Sequence, residues 1–360
     1  ADFVGFLTRI YDNTIGIAGT HGKTTTTSMV SLCFLEANLD PSIQVGAMLK
    51  DIGGNYRVGN SDFFILEACE YVESFLKFSP QSAIVTNIDN DHLDYFKTFD
   101  NIKHAFEKYV NLLPKDGFLI TNADDPDCLD LRKHTLAQVV TFGLRNDRAN
   151  FIGRNIVFDK NGFSKFDVYR NSSYFGEFKL SVPGIHNVYN ALACIAICSS
   201  YGIAKQVIKT ALLKFTGANR RFEYIGSYSN MDVYDDYAHH PSEIMATAKA
   251  MKNKAYRQSW VIFQPHTYSR TKELLSDFAE ALLEFDNIIV TDIYAARESN
   301  TYGISSKDLV HKIAELGKNA LYISDFDDIA SYVKGHACPH DIILTMGAGT
   351  VWEVGKKILQ

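Results

Sequence analysis

The sequence predicts an α/β protein: a doubly wound central domain built around a phosphate-binding P-loop, then a smaller Rossmann-like α/β domain. Three observations predict it. Short apolar runs alternate with helix-period runs along most of the chain, the pattern of a parallel sheet wrapped by helices. Near the start, Gly19-Thr20-His21-Gly22-Lys23-Thr24-Thr25-Thr26-Thr27 falls between an apolar run (Ile15, Ile17, Ala18) and an amphipathic run at 29–35. That is the order strand, glycine loop, helix in which backbone N–H groups converge on a phosphate. After Thr216-Gly217-Ala218-Asn219 the alternation restarts with its own periodic core, which places a domain boundary there.

Taken in order, residues 1–14 read as a helix end and linker, with a turn at Asp12-Asn13. A strand runs to Ala18 and a helix over 24–37. Strands at 63–67 and 83–88, a helix at 101–113 and a strand at 118–122 follow. From 156 to 182 the period changes to two around Asn161-Gly162, a hairpin signal. Helices at 187–201 and 204–215 close the central domain, 15–218. The second domain, 219–360, has strands at 224–228, 233–234, 260–264, 288–292, 321–323 and 342–346. Gly347-Ala348-Gly349 after the last strand reads as a tight turn rather than a second nucleotide loop.

Bulk composition excludes several classes. At 360 residues the chain has length for two or three domains. With 46% hydrophobic and 22% charged residues it is an ordinary globular protein. A net charge of -6 without a basic run argues against a nucleic-acid surface. The longest apolar stretch, 191–203, is interrupted by Ser199 and Ser200 and reads as a buried helix, so no membrane partner is expected. There is no signal-peptide pattern, and the first residue is Ala, so the chain is expected to be a fragment or a processed product. Six cysteines without a C-x-x-C pair point to a reducing cytoplasm, with Cys194 and Cys198 in the core.

The P-loop lacks one feature: the glycine usually found five residues before the Gly-Lys pair is Ile17. The remaining chemistry is in place. Lys23 can reach β- and γ-phosphate oxygens, and Thr24 or Thr25 can offer a hydroxyl to Mg²⁺. Glu67 ends an apolar strand where a parallel sheet lines its ligand crevice, and Glu70 can support it. The next strand ends in Thr86-Asn87-Ile88-Asp89-Asn90-Asp91-His92, and His92 can bind metal or orient a carboxylate. Gly184-Ile185-His186-Asn187-Val188-Tyr189-Asn190 opens a helix. Asn187 is either its N-cap or, with Asn190 and the His186 ring, part of an adenine pocket. Arg220-Arg221 at the boundary is a surface pair or a source of positive charge for phosphoryl transfer. Asp235-Asp236-Tyr237-Ala238-His239-His240-Pro241 and Phe263-Gln264-Pro265-His266-Thr267-Tyr268-Ser269-Arg270 suggest a polar pocket of substrate contacts, not a zinc site.

Together these strings resemble the Mur ligases of peptidoglycan synthesis. The matching segments are IAGTHGKTTTT, LEACEY, TNIDNDHLDYF, GIHNVYNA, RRFE, YDDYAHHPSE, FQPHTYSRT and TDIYAARE, in family order from residue 17 to 298. The same loop glycine is missing in that family. Members have three domains, the first holding a UDP-sugar. Here the loop begins at residue 19, so only the central ATP-binding and C-terminal amino-acid domains are expected. The resemblance implies ATP and Mg²⁺ as cofactors and UDP-N-acetylmuramate and L-alanine as substrates. It implies γ-phosphate transfer to the lactyl carboxylate and attack of the alanine amine on the acyl phosphate.

Carried over by position, Gly19 to Thr25 hold the phosphates, Thr24, Glu67 and His92 the metals, and His186, Asn187 and Asn190 adenine. Arg221 is the domain-bridging arginine, and Asp236, His239, His240, His266 and Arg270 serve the amino acid and acyl phosphate. The FQPHTYSRT segment resembles the alanine-adding branch; the branch that recycles murein tripeptide is the rival, and an ATP-binding module without turnover is the alternative from another class. No carbamylated lysine is assigned near Glu107 and Lys108. A monomer or weak dimer is expected.

Overall fold

The computed structural model describes residues 1–160 and 162–360, and of Asp94 the backbone alone. The chain divides into two compact units, Ala1–Asn219 and Arg220–Gln360.

In the first unit, α1 (Asp2–Leu7) leads into β1 (Asn13–Ala18) and α2 (Lys23–Glu36). Then come β2 (Ser42–Leu49), β3 (Gly54–Arg57), β4 (Phe63–Glu67), β5 (Ser82–Val85), α3 (Leu93–Phe96), α4 (Phe99–Val110), β6 (Phe118–Asn122), α5 (Pro126–Asp130) and β7 (Gln138–Gly143). The unit ends with β8 (Phe151–Phe158), β9 (Phe163–Arg170), β10 (Ser173–Pro183), α6 (Ile185–Ser200) and α7 (Lys205–Lys214). One sheet runs β10-β9-β8-β7-β6-β5-β1-β4-β2-β3. Its middle is parallel, and β1 lies between β4 and β5 with Ile17 beside Glu67 and Ala18 beside Val85. The C-terminal ends of these strands therefore share one edge, the ligand edge of a doubly wound sheet.

Alternation along β1 separates two cores. Ile15 and Ile17 face α2, α6 and α7, while Ala18 joins the cluster of Phe75, Phe106 and Tyr109. Gly16 has no room for a side chain, since a Cβ would stand 2.1 Å from the Tyr109 hydroxyl. That ring is fully buried, stacks on Phe75 at 4.5 Å, and burial pushes its phenol up.

The second unit contains β11 (Glu223–Tyr228), β12 (Met231–Asp236), α8 (Pro241–Met251), β13 (Ser259–Phe263), α9 (Tyr268–Glu273), α10 (Leu275–Leu282) and β14 (Asn287–Val290). It closes with α11 (Ser306–Glu315), β15 (Ala320–Tyr322), α12 (Phe326–His336), β16 (Ile342–Met346) and α13 (Trp352–Leu359). The sheet order is β11-β12-β16-β13-β14-β15, parallel except for β11. One core packs α8, α10 and α11 on the sheet, the other α12 and α13.

The differences from expectation have local causes. The helix after the loop is not amphipathic: α2 is buried from Thr24 to Phe34, sandwiched by α6, α7 and the sheet. Its four threonines are weak helix formers, yet burial holds them, with Thr27 Oγ1 donating to the Lys23 carbonyl at 2.8 Å. The strand expected at 83–88 stops at Val85, because Thr86 and Asn87 turn to brace the glycine loop. Asn13 and Thr14 belong to β1, not to the linker. The two-period region is a three-stranded antiparallel meander; Asn161, half of the hairpin signal, lies outside the described residues. Strands β2, β3 and β7 are additional.

Candidate functional site

In the first unit the glycine loop leaves β1 at Gly19 (φ 129°) and enters α2 through Gly22 (φ 82°). Both glycines are sterically required. A Cβ on Gly19 would stand 2.0 Å from Thr86 Oγ1, and one on Gly22 2.6 Å from Asn190 Oδ1. The segment after β5 holds the loop in shape. Asn87 accepts the His21 N–H at its Oδ1 (2.8 Å) and donates to the His21 carbonyl (2.9 Å). The Asp89 N–H donates to Thr20 Oγ1 at 2.9 Å, and the His21 ring lies 3.0 Å from the Asp89 carboxylate. No side chain caps α2, so its first N–H groups point to where an anion would sit.

Lys23 Nζ donates to the carbonyls of Gly19 (2.6 Å) and Thr20 (3.1 Å) and to Glu70 Oε1 (3.0 Å). Burial opposes its charge, but Glu70 foremost outweighs burial and holds the ammonium above its usual range. Glu70 was expected to support Glu67; it is instead the counter-ion of Lys23. Glu67 accepts the Thr24 hydroxyl at 3.0 and 3.2 Å and the Gly46 N–H at 2.8 Å. Thr24 and Glu67 thus form an all-oxygen pair of the kind Mg²⁺ takes. His92 adopts a left-handed backbone (φ 56°), with its ring 3.7 Å from Asp91 Oδ2 and packed on Tyr71 at 4.6 Å.

At α6 the N-cap is Gly184, not Asn187. Asn187 sits in the first turn, donates back to the Pro183 carbonyl at 2.7 Å and accepts from Asn190 at 3.1 Å. This ties Asn190 against Gly22. His186 lies half-buried on the same turn.

In the second unit, β12 delivers Asp235 and Asp236. Asp236 is buried, accepting the Ala238 N–H (2.8 Å) and the Thr247 hydroxyl (2.7 Å), and burial pushes its carboxyl up to about 6. It shapes the 237–240 loop rather than facing solvent. His240 caps α8, its Nδ1 facing the Ser242 hydroxyl at 2.8 Å. His239, His266 and Arg270 do converge: the two rings meet edge to face at 5.5 Å, and Arg270 Nη1 donates to His266 Nδ1 at 3.3 Å. That bond leaves the neutral His266 proton on Nε2. Tyr294, which carried no sequence signal of its own beyond its segment, stacks on His266 at 5.8 Å.

The two arginines differ. Arg220 donates to Asp235 (2.7 Å) and to the carbonyls of Gly347 (2.7 Å) and Gly349 (3.1 Å), locking the glycine turn. Arg221 lies 3.6 Å from Glu243 with its guanidinium over the Tyr237 ring.

An uncapped helix start behind a glycine loop on one doubly wound unit, and a His/Arg-lined strand edge on a second, accord with the class that the relatives define, the ATP-dependent ligases. The chain belongs to the Mur ligase family: residues 17–198 match the Mur ligase middle domain, and residues 220–349 match the Mur ligase glutamate ligase domain. Among curated relatives, the UDP-N-acetylmuramate–L-alanine ligase of Acetivibrio thermocellus is 48% identical over 360 residues, all of this chain and 77% of that protein. The ligase of the same name from Caldanaerobacter subterraneus subsp. tengcongensis is 47% identical over the whole chain and 78% of that protein. The solved UDP-N-acetylmuramate–alanine ligase of Thermotoga maritima superposes with a TM-score of 0.83 at 29% identity, covering 99% of this chain and 77% of that one. A murein peptide ligase from Psychrobacter arcticus shares the fold (TM-score 0.72, 24% identity, covering 100% of this chain and 80% of that one). Among the described residues no helix is long and apolar enough to cross a membrane.

Proposed function

We propose that this chain is an ATP-dependent ligase joining L-alanine to UDP-N-acetylmuramate, a cytoplasmic step of peptidoglycan precursor synthesis. The observation that carries the ATP reading is the cradle, where Lys23, Thr24, Glu67 and an uncapped helix start share one strand edge. The alanine-adding relatives, 45–48% identical over nearly the whole chain, favour that branch over tripeptide recycling.

When bound, Mg²⁺-ATP supplies the γ-phosphoryl group that activates the substrate carboxylate for attack by the alanine amine. The protein's share is positioning and charge neutralisation, and no side chain needs to act as a nucleophile. Gly19 to Thr25 wrap the phosphates with backbone N–H groups. Lys23, with Glu70 as its counter-ion, would neutralise phosphate oxygens. Thr24 and Glu67 would hold Mg²⁺, and His92, beside Asp91, would serve a second metal. His186, Asn187 and Asn190 flank adenine. His239, His266 and Arg270, backed by Tyr294, would receive the amino acid carboxylate. Asp236 and His240 act indirectly by holding the loop.

Calorimetric titration with a non-hydrolysable ATP analogue tests the nucleotide assignment, with one Mg²⁺-dependent site expected. Saturation-transfer NMR then tests the acceptor. Transfer to L-alanine supports the proposal; transfer to a murein tripeptide and none to L-alanine overturns it.

A further inference from the structure

Three thiols that the proposed reaction does not use meet in the core of the first unit. Cys33 lies on α2, and Cys194 and Cys198 lie one turn apart on α6. All are fully buried. Cys33 Sγ is 3.5 Å from Cys194 Sγ, which is 3.8 Å from Cys198 Sγ, and all three sulfurs lie within 4.8 Å of one another. A buried cysteine ordinarily serves as a small hydrophobe. Core filling explains the burial; it does not explain three sulfurs from two helices turned onto one point.

We propose that Cys33, Cys194 and Cys198 form a three-thiol site for a soft, thiophilic ion, and that trivalent arsenic is the class it takes best. Geometry supports a single three-coordinate centre. With ion–sulfur bonds of about 2.3 Å, as for zinc thiolates, three sulfurs stand roughly 3.4–4.0 Å apart as the bond angle opens from about 95° to 120°. The Cys33–Cys194 and Cys194–Cys198 separations already lie in that range.

Charge selects the ion. The thiols belong to an apolar cluster with Met29, Val30, Phe34 and Ile197. A monovalent or divalent ion on three thiolates leaves net negative charge there, which is costly to bury. Arsenous acid leaves none: As(OH)3 and three R–SH condense to As(SR)3 and three waters. Three As–O and three S–H bonds break, three As–S and three O–H bonds form, and arsenic stays trivalent, so no oxidant or reductant is needed. The three sulfurs are fully buried in that apolar cluster, which suits the neutral product of this condensation.

The site also bears on the cradle. α2 starts with Lys23 and Thr24, and α6 holds Asn190 against Gly22, so an ion joining the helices pins the scaffold behind the phosphates. Entry requires local opening of buried helices, so binding is slow.

The test is titration of the reduced full chain with arsenite, followed by native mass spectrometry and thermal melting. One bound arsenic with loss of three hydrogens is expected, with a raised melting temperature. Cys33→Ala, Cys194→Ala and Cys198→Ala should each weaken binding by more than the roughly 10–100-fold that losing an outer-shell partner costs a metal site. Where an Ala variant does not fold, the Val variant, which fills the space, replaces it. A chain carrying both Cys69→Ser and Cys338→Ser, which removes the two exposed thiols, should bind as before. The proposal is overturned by absence of the adduct, by an adduct that survives Cys33→Ala, or by tighter binding of zinc than of arsenite.

Discussion

Lys23→Ala should damage the protein twice, and the two effects can be separated. Lys23 and Glu70 are 2.9 Å apart with side chains only 13% and 2% exposed, so the pair is buried. Removing the ammonium leaves the Glu70 carboxylate without its counter-ion, a change that costs about 3–5 kcal/mol in such pairs. For a unit the size of Ala1–Asn219, at roughly 2–4 °C per kcal/mol, the melting temperature should fall by about 6–20 °C. Independently, the variant loses charge-assisted bonds to phosphate of about 1.5–3 kcal/mol, or roughly 10–150-fold in nucleotide affinity. The double variant Lys23→Ala/Glu70→Ala removes the stranded carboxylate. It should melt above the single variant yet bind nucleotide no better. Scanning calorimetry and titration with an ATP analogue read the two quantities on the same samples. A Lys23→Ala protein that melts with its parent, or a double variant that regains nucleotide, would refute the assignment of Lys23 to both roles.

Three further outcomes follow from the geometry. Glu67→Ala strands only the Thr24 hydroxyl and the Gly46 N–H, so stability should drop by about 1 kcal/mol. The Mg²⁺-dependent part of nucleotide affinity should fall by tenfold or more, of order 10–100-fold, as melts with and without Mg²⁺-nucleotide would show. Asp236 has a folded-state carboxyl raised from 3.8 to about 6, so folding favours its protonated form. Its contribution is full below the unfolded value and is lost as pH rises through the folded one, about 3 kcal/mol in all. Urea unfolding between these limits should therefore show a decline that shrinks in Asp236→Asn; an equally steep decline in the variant contradicts this. Gly22→Ala forces a side chain into a left-handed backbone, at about 1–2 kcal/mol, and against Asn190 Oδ1. Nucleotide affinity should drop along with stability, and unchanged titration would show that the loop tolerates a Cβ.

The strand ends were legible because their signals are local. The apolar run at β4 stops at Glu67, and that of β1 stops at Gly19 where the glycine loop begins. What the sequence left hidden depends on partners distant in the chain. Nothing around Glu70 announces that Lys23, 47 residues earlier, will claim it. Asn87 looks like a strand-end polar residue until its amide is seen bracing His21 from both sides. Neighbouring arginines look equivalent in sequence, yet Arg220 is consumed by Asp235 and the 347–349 turn. Asn187 and His240 both precede helical runs. Only the backbone tells a first-turn residue from a cap, and it makes Asn187 the former and His240 the latter. Of the strands that escaped, β2 does alternate Ile43, Val45 and Leu49, but Gly46 interrupts the run, while β7 has only the short apolar pair Val139-Val140 before Thr141.

The central claim is that the cradle between β1 and α2 grips a triphosphate. A crystal structure of this chain soaked with Mg²⁺ and a non-hydrolysable ATP analogue tests it directly. The account predicts phosphate oxygens within hydrogen-bonding reach of the backbone N–H groups of residues 19–25 and of Lys23 Nζ, with Mg²⁺ on Thr24 Oγ1 and Glu67. An empty cradle with the nucleotide seated elsewhere on the protein would contradict it.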